Sequence, residues 1–161
     1  MTDRMTPEQR HNCMAAIRGK NTRPEIMVRS FLHANGLRFR IHVKNLPGTP
    51  DVVLPKYKTV IFINGCFWHG HQGCRQGHMP STNTGFWSQK IMRNRRRDAA
   101  NFQALNAMGW KVIHLWTCQL GSKVRQATLS ALLDAIRRPQ ELPRDEEELL
   151  LAAEPQESYG I

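Results

Sequence analysis

The segment from Asn64 to Gly85 constrains this chain more than any other. It follows the apolar run Val60-Ile61-Phe62-Ile63 and precedes a helix-patterned stretch beginning at Phe86, yet has neither strand nor helix periodicity. An irregular segment of that length inside a compact domain is usually functional or tied down by a metal. Cys66, His71 and Cys74 stand with four residues between the first pair and two between the second. Zn²⁺ takes tetrahedral sets of thiolate and imidazole ligands, so this spacing suits a structural zinc. Cys118, just after Lys111–Trp116, is the candidate fourth thiolate, because Cys13 falls in a helix-patterned stretch far upstream. His69 and His78 compete with His71 for the imidazole position. The bland alternative is a buried Cys118 thiol and ordinary loop histidines.

Around that segment the chain reads as one α/β domain. Thr6-Pro7-Glu8-Gln9 and Thr22-Arg23-Pro24-Glu25 each start a helix, with Thr as N-cap and Gln or Glu three positions on. The first helix is expected to run to about Arg18, and Asn35-Gly36 stops the second. Arg38–Val43 alternates polar and apolar and reads as a half-buried strand. Asp51–Leu54 and Thr59–Ile63 read as a hairpin, and Lys111–Trp116 as another buried strand. A helix is expected over Phe86–Met108, with Trp87, Ile91, Asn94, Asp98, Phe102 and Leu105 turned inward, and a last one over Ser122–Arg137. This order predicts a central mixed β-sheet flanked by helices.

Charge is distributed unevenly. Residues 1–140 hold 22 of the 23 Lys/Arg and 6 of the 13 Asp/Glu, a net of +16, while residues 141–161 hold one base and 7 acids, a net of −6. Residues 1–140 therefore form the expected functional domain, with 141–161 an acidic and mobile tail. A body this basic calls for a polyanionic partner, nucleic acid first, or else carries a generally basic solvated surface. No apolar run approaches the length needed to span a bilayer, and the N-terminus is polar, so no membrane role and a cytoplasmic location are expected.

With so few acids in the basic body, each one near a binding face stands out. Asp51 follows Gly48-Thr49-Pro50 at a hairpin start, where nucleases often hold Mg²⁺, though an Asp finishing a turn is also common. Asp98 sits on the inward side of its helix and needs a partner, either a histidine or Arg95. Glu25 is accounted for by the Thr22 capping box. His69, beside a metal-braced loop, could serve as a general base or acid, or be an ordinary surface histidine. Phe67, Trp68 and Trp87 suit stacking on bases or wedging between them, or else cover a small core. Lys90, Arg93, Arg95, Arg96 and Arg97 crowd one helix and suit phosphate contacts, or a solvated basic face.

Taken together, Pro50-Asp51, Gly65-Cys66-Phe67-Trp68-His69, His71, Cys74, Phe86-Trp87 and Asp98 closely resemble the very short patch repair (Vsr) DNA mismatch endonuclease family, over roughly residues 8–135. Met14–Arg18 and Gly109-Trp110-Lys111-Val112 are similar to it as well. The resemblance implies a restriction-endonuclease-like fold with a structural zinc on Cys66, His71, Cys74 and Cys118. It implies Mg²⁺-dependent nicking of one strand 5′ to the thymine of a T:G mismatch. Asp51 and the backbone carbonyl of Ile63 would hold Mg²⁺; His69, supported by Asp98, would be the catalytic histidine; and Glu25 would be an active-site acid, a role compatible with capping. Phe67, Trp68 and Trp87 would wedge beside the mismatch, and Asn64, Lys90, Arg93, Asn94 and Arg97 would contact DNA. A monomer is expected, with a cytosine-5 methyltransferase and a repair polymerase as functional companions. Two departures stand out: position 64 is Asn where the best-known member has a second histidine, and one extra residue lies between His71 and Cys74. The rival expectations are a restriction-like nuclease of other specificity and a non-catalytic zinc-braced DNA-binding module.

Overall fold

A computed structural model of the chain describes residues 6–15 and 21–139. The elements run α1 (Pro7–Ala15), α2 (Arg23–Ala34), β1 (Val52–Leu54), β2 (Thr59–Asn64), α3 (Thr84–Ala107), β3 (Lys111–Trp116) and α4 (Arg125–Arg137). At α1 the capping box forms in full: the Gln9 amide donates to Thr6 Oγ1 at 3.1 Å and the Thr6 amide donates to Gln9 Oε1 at 3.0 Å. The expected extension of this helix to Arg18, and the acidic segment 141–161, lie outside the described residues. Helix α2 ends as its sequence predicts, with Gly36 at φ +77° and the Leu37 amide donating back to the Leu32 carbonyl at 3.0 Å.

The three strands form one mixed sheet in the order β1-β2-β3. The expected hairpin is present, with β1 antiparallel to β2 and Val52 opposite Ile61. Helix α3 crosses over between β2 and β3, which therefore run parallel, Phe62 facing His114 and Asn64 facing Trp116. One face of the sheet packs Val52, Leu54, Ile61, Ile63 and Leu115 against Val28 and Leu32 of α2 and Leu129, Leu132 and Ile136 of α4. The other face packs Val53, Val60 and Phe62 against Leu105 and Phe102 of α3. Covered on both faces, β2 is buried at every position, which its unbroken apolar run requires.

Two expected strands differ. Arg38–Val43 does not pair as a strand; it makes a single bridge, with the Arg40 and Val53 amides donating to each other's carbonyls at 2.8 and 2.9 Å. His42 at φ +55° turns the chain away and ends the pairing there. β3 forms where expected but is an edge strand, half-buried at every position except Leu115. At the ends of the long helices the boundaries move by one to three residues.

Candidate active site and metal cluster

Because β1 is antiparallel to β2, its N-terminal end meets the C-terminal ends of β2 and β3. Asp51, one residue before β1, therefore lies at that sheet edge. Its amide donates to the Ile61 carbonyl at 3.0 Å, and its Oδ2 accepts the Ile63 amide at 2.7 Å. The carboxyl thus takes the place of a strand partner where the ladder runs out. Burial pushes its pKa up to about 6, against the lowering effect of the Ile63 hydrogen bond; the nearby Glu25 carboxylate raises it further, while Arg29 and His69 lower it.

Glu25 is buried in the first turn of α2, and the expected capping box does not form there. Its Oε1 accepts the Thr22 hydroxyl at 3.2 Å, and its Oε2 accepts the Asn21 amide and the Arg29 guanidinium, each at 3.0 Å. The Thr22 side chain makes no capping bond to the helix backbone. The Arg29 guanidinium one turn along adds a charge-assisted bond that holds the carboxylate at the helix start, short of the Thr22 amide that a capping box would engage.

After β2 the chain folds over α3 in a series of tight turns, with the His69, Gly70 and His71 amides donating to the Gly65, Phe67 and Cys66 carbonyls. Gly70, at φ +64°, packs directly on α3; a Cβ there would lie 2.6 Å from Ile91 Cγ2 and 2.9 Å from Arg95 Cδ. Asn94 donates to the Trp68 carbonyl at 2.9 Å and pins the loop from the helix side. That docking carries His69 to Asp98, whose Oδ2 lies 2.5 Å from His69 Nδ1. The imidazole, rather than Arg95, is the partner of this inward carboxylate. An Nδ1–H donated to Asp98 leaves Nε2 as the basic nitrogen.

Asp51, Glu25, His69, Asp98, Asn64 and Ile63 all line one open cleft of about 690 Å³. Thr49, at φ +47°, Trp68, Arg97 and Asn101 are among the other residues lining it. Phe67, Trp68 and Trp87 pack edge to face, with centroids 5.2 to 5.8 Å apart. The Lys90 ammonium lies 5.3 Å from the Trp68 ring centre. Phe86, given no role from sequence, extends this cluster from Trp87 and is 60% exposed. Arg93 is exposed on α3, and Arg97 donates to Asn94 Oδ1 at 3.2 Å.

Cys66, His71, Cys74 and Cys118 converge, their ligand atoms within 4.8 Å of one another. A tetrahedral zinc with ~2.3 Å bonds places thiolates roughly 3.8 Å apart, so the set fits such an ion after small side-chain adjustments. His71 is the imidazole brought to the cluster; its Nδ1 lies 3.5 Å from Cys118 Sγ, and its ring stacks on Trp116 with centroids 4.2 Å apart. His78 is exposed outside the set. Crowding of the thiols splits their acidities: burial and the thiol neighbours push Cys118 up to about 12, while Cys74 is lowered despite its own desolvation, chiefly by the Gln76 and Gly77 amides.

His114, on β3, was not singled out by sequence reasoning. Its Nε2 lies 2.8 Å from the Asn64 amide nitrogen. Burial lowers its pKa; Asp98 opposes this, and His69 and His71 add to it. The only available signal was a single polar residue inside the apolar run Val112-Ile113-His114-Leu115.

The family described as DNA mismatch endonuclease Vsr matches residues 2–76. The type II nicking enzyme V.XorIIP of Xanthomonas oryzae pv. oryzae is 51% identical over 135 residues, covering 83% of this chain and 98% of that protein. The chain belongs to the Vsr family. The DNA mismatch endonuclease Vsr of Escherichia coli K12 is 40% identical over 120 residues, covering 74% of this chain and 76% of that protein. The type II nicking enzyme V.NmeAIP of Neisseria meningitidis is 49% identical over 123 residues, covering 76% of this chain and 87% of that protein. As a Vsr-family protein the chain is a DNA mismatch endonuclease, which accords with its basic body. No helix among the described residues is long and apolar enough to cross a membrane.

Proposed function

We propose that this Vsr-family enzyme nicks one strand of duplex DNA 5′ to the thymine of a T:G mismatch, as a monomer, in a Mg²⁺-dependent hydrolysis. The observation that carries this reading is the shared cleft: the Asp51 and Glu25 carboxyls and the His69–Asp98 couple line the same cavity. Two carboxyls in one cleft, with Glu25 raising the cost of ionising Asp51, suit a hard divalent cation in a basic protein. Asp51 and the Ile63 carbonyl would hold Mg²⁺, with Glu25 beside them; when bound, such an ion neutralises charge on the phosphate and acidifies water.

The protein's own part is then positional. Asp98 fixes the His69 tautomer, and Nε2 accepts the proton of the attacking water as the water oxygen bonds to phosphorus and the ester bond to one sugar oxygen breaks, that oxygen taking a proton from solvent. Phe67, Trp68 and Trp87 wedge beside the mismatch. Lys90, Arg93 and Arg97 neutralise phosphates, Asn64 offers an amide to the backbone, and Asn94 holds the loop bearing Trp68 and His69. Zn²⁺ on Cys66, His71, Cys74 and Cys118 would fasten the same loop from its far end. The fold is of restriction-endonuclease type in this reading, with residues 1–140 as the functional domain.

T:G pairs arise when 5-methylcytosine deaminates, so a cytosine-5 methyltransferase supplies the lesion and a repair polymerase consumes the nick. Relatives named as nicking enzymes support single-strand cleavage. The test is a nicking assay across T:G, other mismatched and fully paired duplexes, with and without Mg²⁺. Selective Mg²⁺-dependent nicking of T:G that vanishes in Asp51→Ala, with binding retained, is expected. Equal cutting of paired duplex would indicate a restriction-like nuclease instead, and the absence of any nicking a binding module.

A further inference from the structure

Asn64 presents an unusual combination. It is 5% exposed, yet it lines the cleft with Asp51 and His69. It follows Ile63, whose amide is bound to the Asp51 carboxyl, so its backbone is fixed relative to that carboxyl. Its side-chain amide has one partner among the described residues, Nε2 of His114 at 2.8 Å.

An amide nitrogen only donates, so His114 must receive this bond on an unprotonated Nε2, with the ring proton on Nδ1. The ring is held for that task. It is half-buried on the α3 face of the sheet, 5.2 Å from the Phe102 ring centre and 4.4 Å from that of Trp116. Behind it lies a second cavity of about 320 Å³, lined in part by His69, Asp98, Phe102 and Trp116. His114 thus stands at the back of the wall whose front carries Asn64 and His69, and it does not line the cleft itself. One amide hydrogen is taken by His114. The second hydrogen remains to donate to a phosphate oxygen or a water in the cleft, and the amide oxygen to accept from a water, in an orientation that His114 sets.

We propose that His114 is a positioning residue for strand cleavage, acting through the Asn64 amide. This rests on the reading that the cleft receives the scissile phosphate. An amide free to rotate would still allow DNA to bind but would seldom present the right group to the reacting phosphate, so the effect belongs in the cleavage step rather than in affinity.

The experiment is single-turnover nicking of a T:G duplex in Mg²⁺, with duplex affinity measured in Ca²⁺ and the melting temperature recorded for each variant. His114→Leu should slow cleavage about tenfold, the scale of one hydrogen bond, with affinity and melting temperature unchanged. His114→Gln can accept the same bond through Oε1 and should stay within about threefold of the parent. In an Asn64→Ala background, His114→Leu should add nothing. Unchanged cleavage in His114→Leu, a slow His114→Gln of normal melting temperature, or independent multiplication of the Asn64 and His114 effects would each overturn the proposal. Where His114→Leu does not fold, His114→Asn, too short to reach, replaces it: slower cleavage than His114→Gln supports the proposal, and equal rates overturn it. A parent protein that nicks no mismatched duplex would remove the functional reading and this proposal together, whereas a nicking parent indifferent to His114 would remove only the latter.

Discussion

Replacing Asp51 by Asn should stabilise the metal-free protein while abolishing its activity. The carboxyl holds its proton to about pH 6, against 3.8 for an unburied Asp. Between those values the folded chain binds a proton that the unfolded chain has released, so stability falls as pH rises, and the loss is complete above about 6. At ~1.36 kcal/mol per pH unit, the difference of about 2.2 corresponds to about 3 kcal/mol at pH 8. An amide has the size and neutrality of the protonated carboxyl and can still accept the Ile63 hydrogen bond, so it escapes that penalty. Urea unfolding followed by tryptophan fluorescence, in Mg²⁺-free buffer with zinc retained, measures the difference. Asp51→Asn should exceed the parent by about 2–3 kcal/mol at pH 8, the gap narrowing through pH 6 and closing near pH 4. Mg²⁺ at a hundred times its dissociation constant should return about 2.7 kcal/mol to the parent and nothing to the variant. A variant no more stable than the parent at pH 8, or a gap indifferent to pH, would refute the account of a buried carboxyl waiting for a cation.

Three further outcomes are expected. Asp98→Asn keeps the size of the side chain but no longer fixes His69 with Nε2 as the basic nitrogen; single-turnover nicking should fall about 10²- to 10⁴-fold with duplex affinity nearly unchanged. Gly77→Ala places a Cβ 2.2 Å from the His71 carbonyl oxygen, a backbone clash beside the metal cluster; bound zinc, read by elemental analysis, should drop together with a melting temperature lowered by several degrees, on the order of 1–3 kcal/mol. Arg93→Ala removes an exposed base from α3, and the dependence of log affinity on log salt should become shallower by about one unit, equally for T:G and paired duplexes.

Much of this arrangement could be seen in the residues. Capping and stop residues marked α1 and α2, and the Val60–Ile63 run between two turn-forming segments marked the central strand. The cysteine and histidine spacing marked the metal cluster. The capping box expected of Glu25 did not form because its carboxylate is shared among the Thr22 hydroxyl, the Asn21 amide and the Arg29 guanidinium, and the last of these competes through its charge. Arg38–Val43 failed because alternation describes which face is buried; whether a ladder forms depends on the backbone at His42, which leaves the extended region. Asp98 had two possible partners in sequence, and the docking of Gly70 on α3 selected the distant one. His114 had no local signal beyond its polarity, since its partner Asn64 lies 50 residues away on the neighbouring strand.

The sequence by itself determined where most elements would form, which cysteines and histidines could come together around a metal, and to which family the chain belongs, because periodicity, capping, ligand spacing and motifs are properties of neighbours along the chain. Only the tertiary structure decided that Asp51, Glu25, His69 and Asp98 share one cleft and that His114 stands behind Asn64. Those pairings depend on strand register and on the loop closing over α3, and both are fixed by packing between segments far apart in the chain.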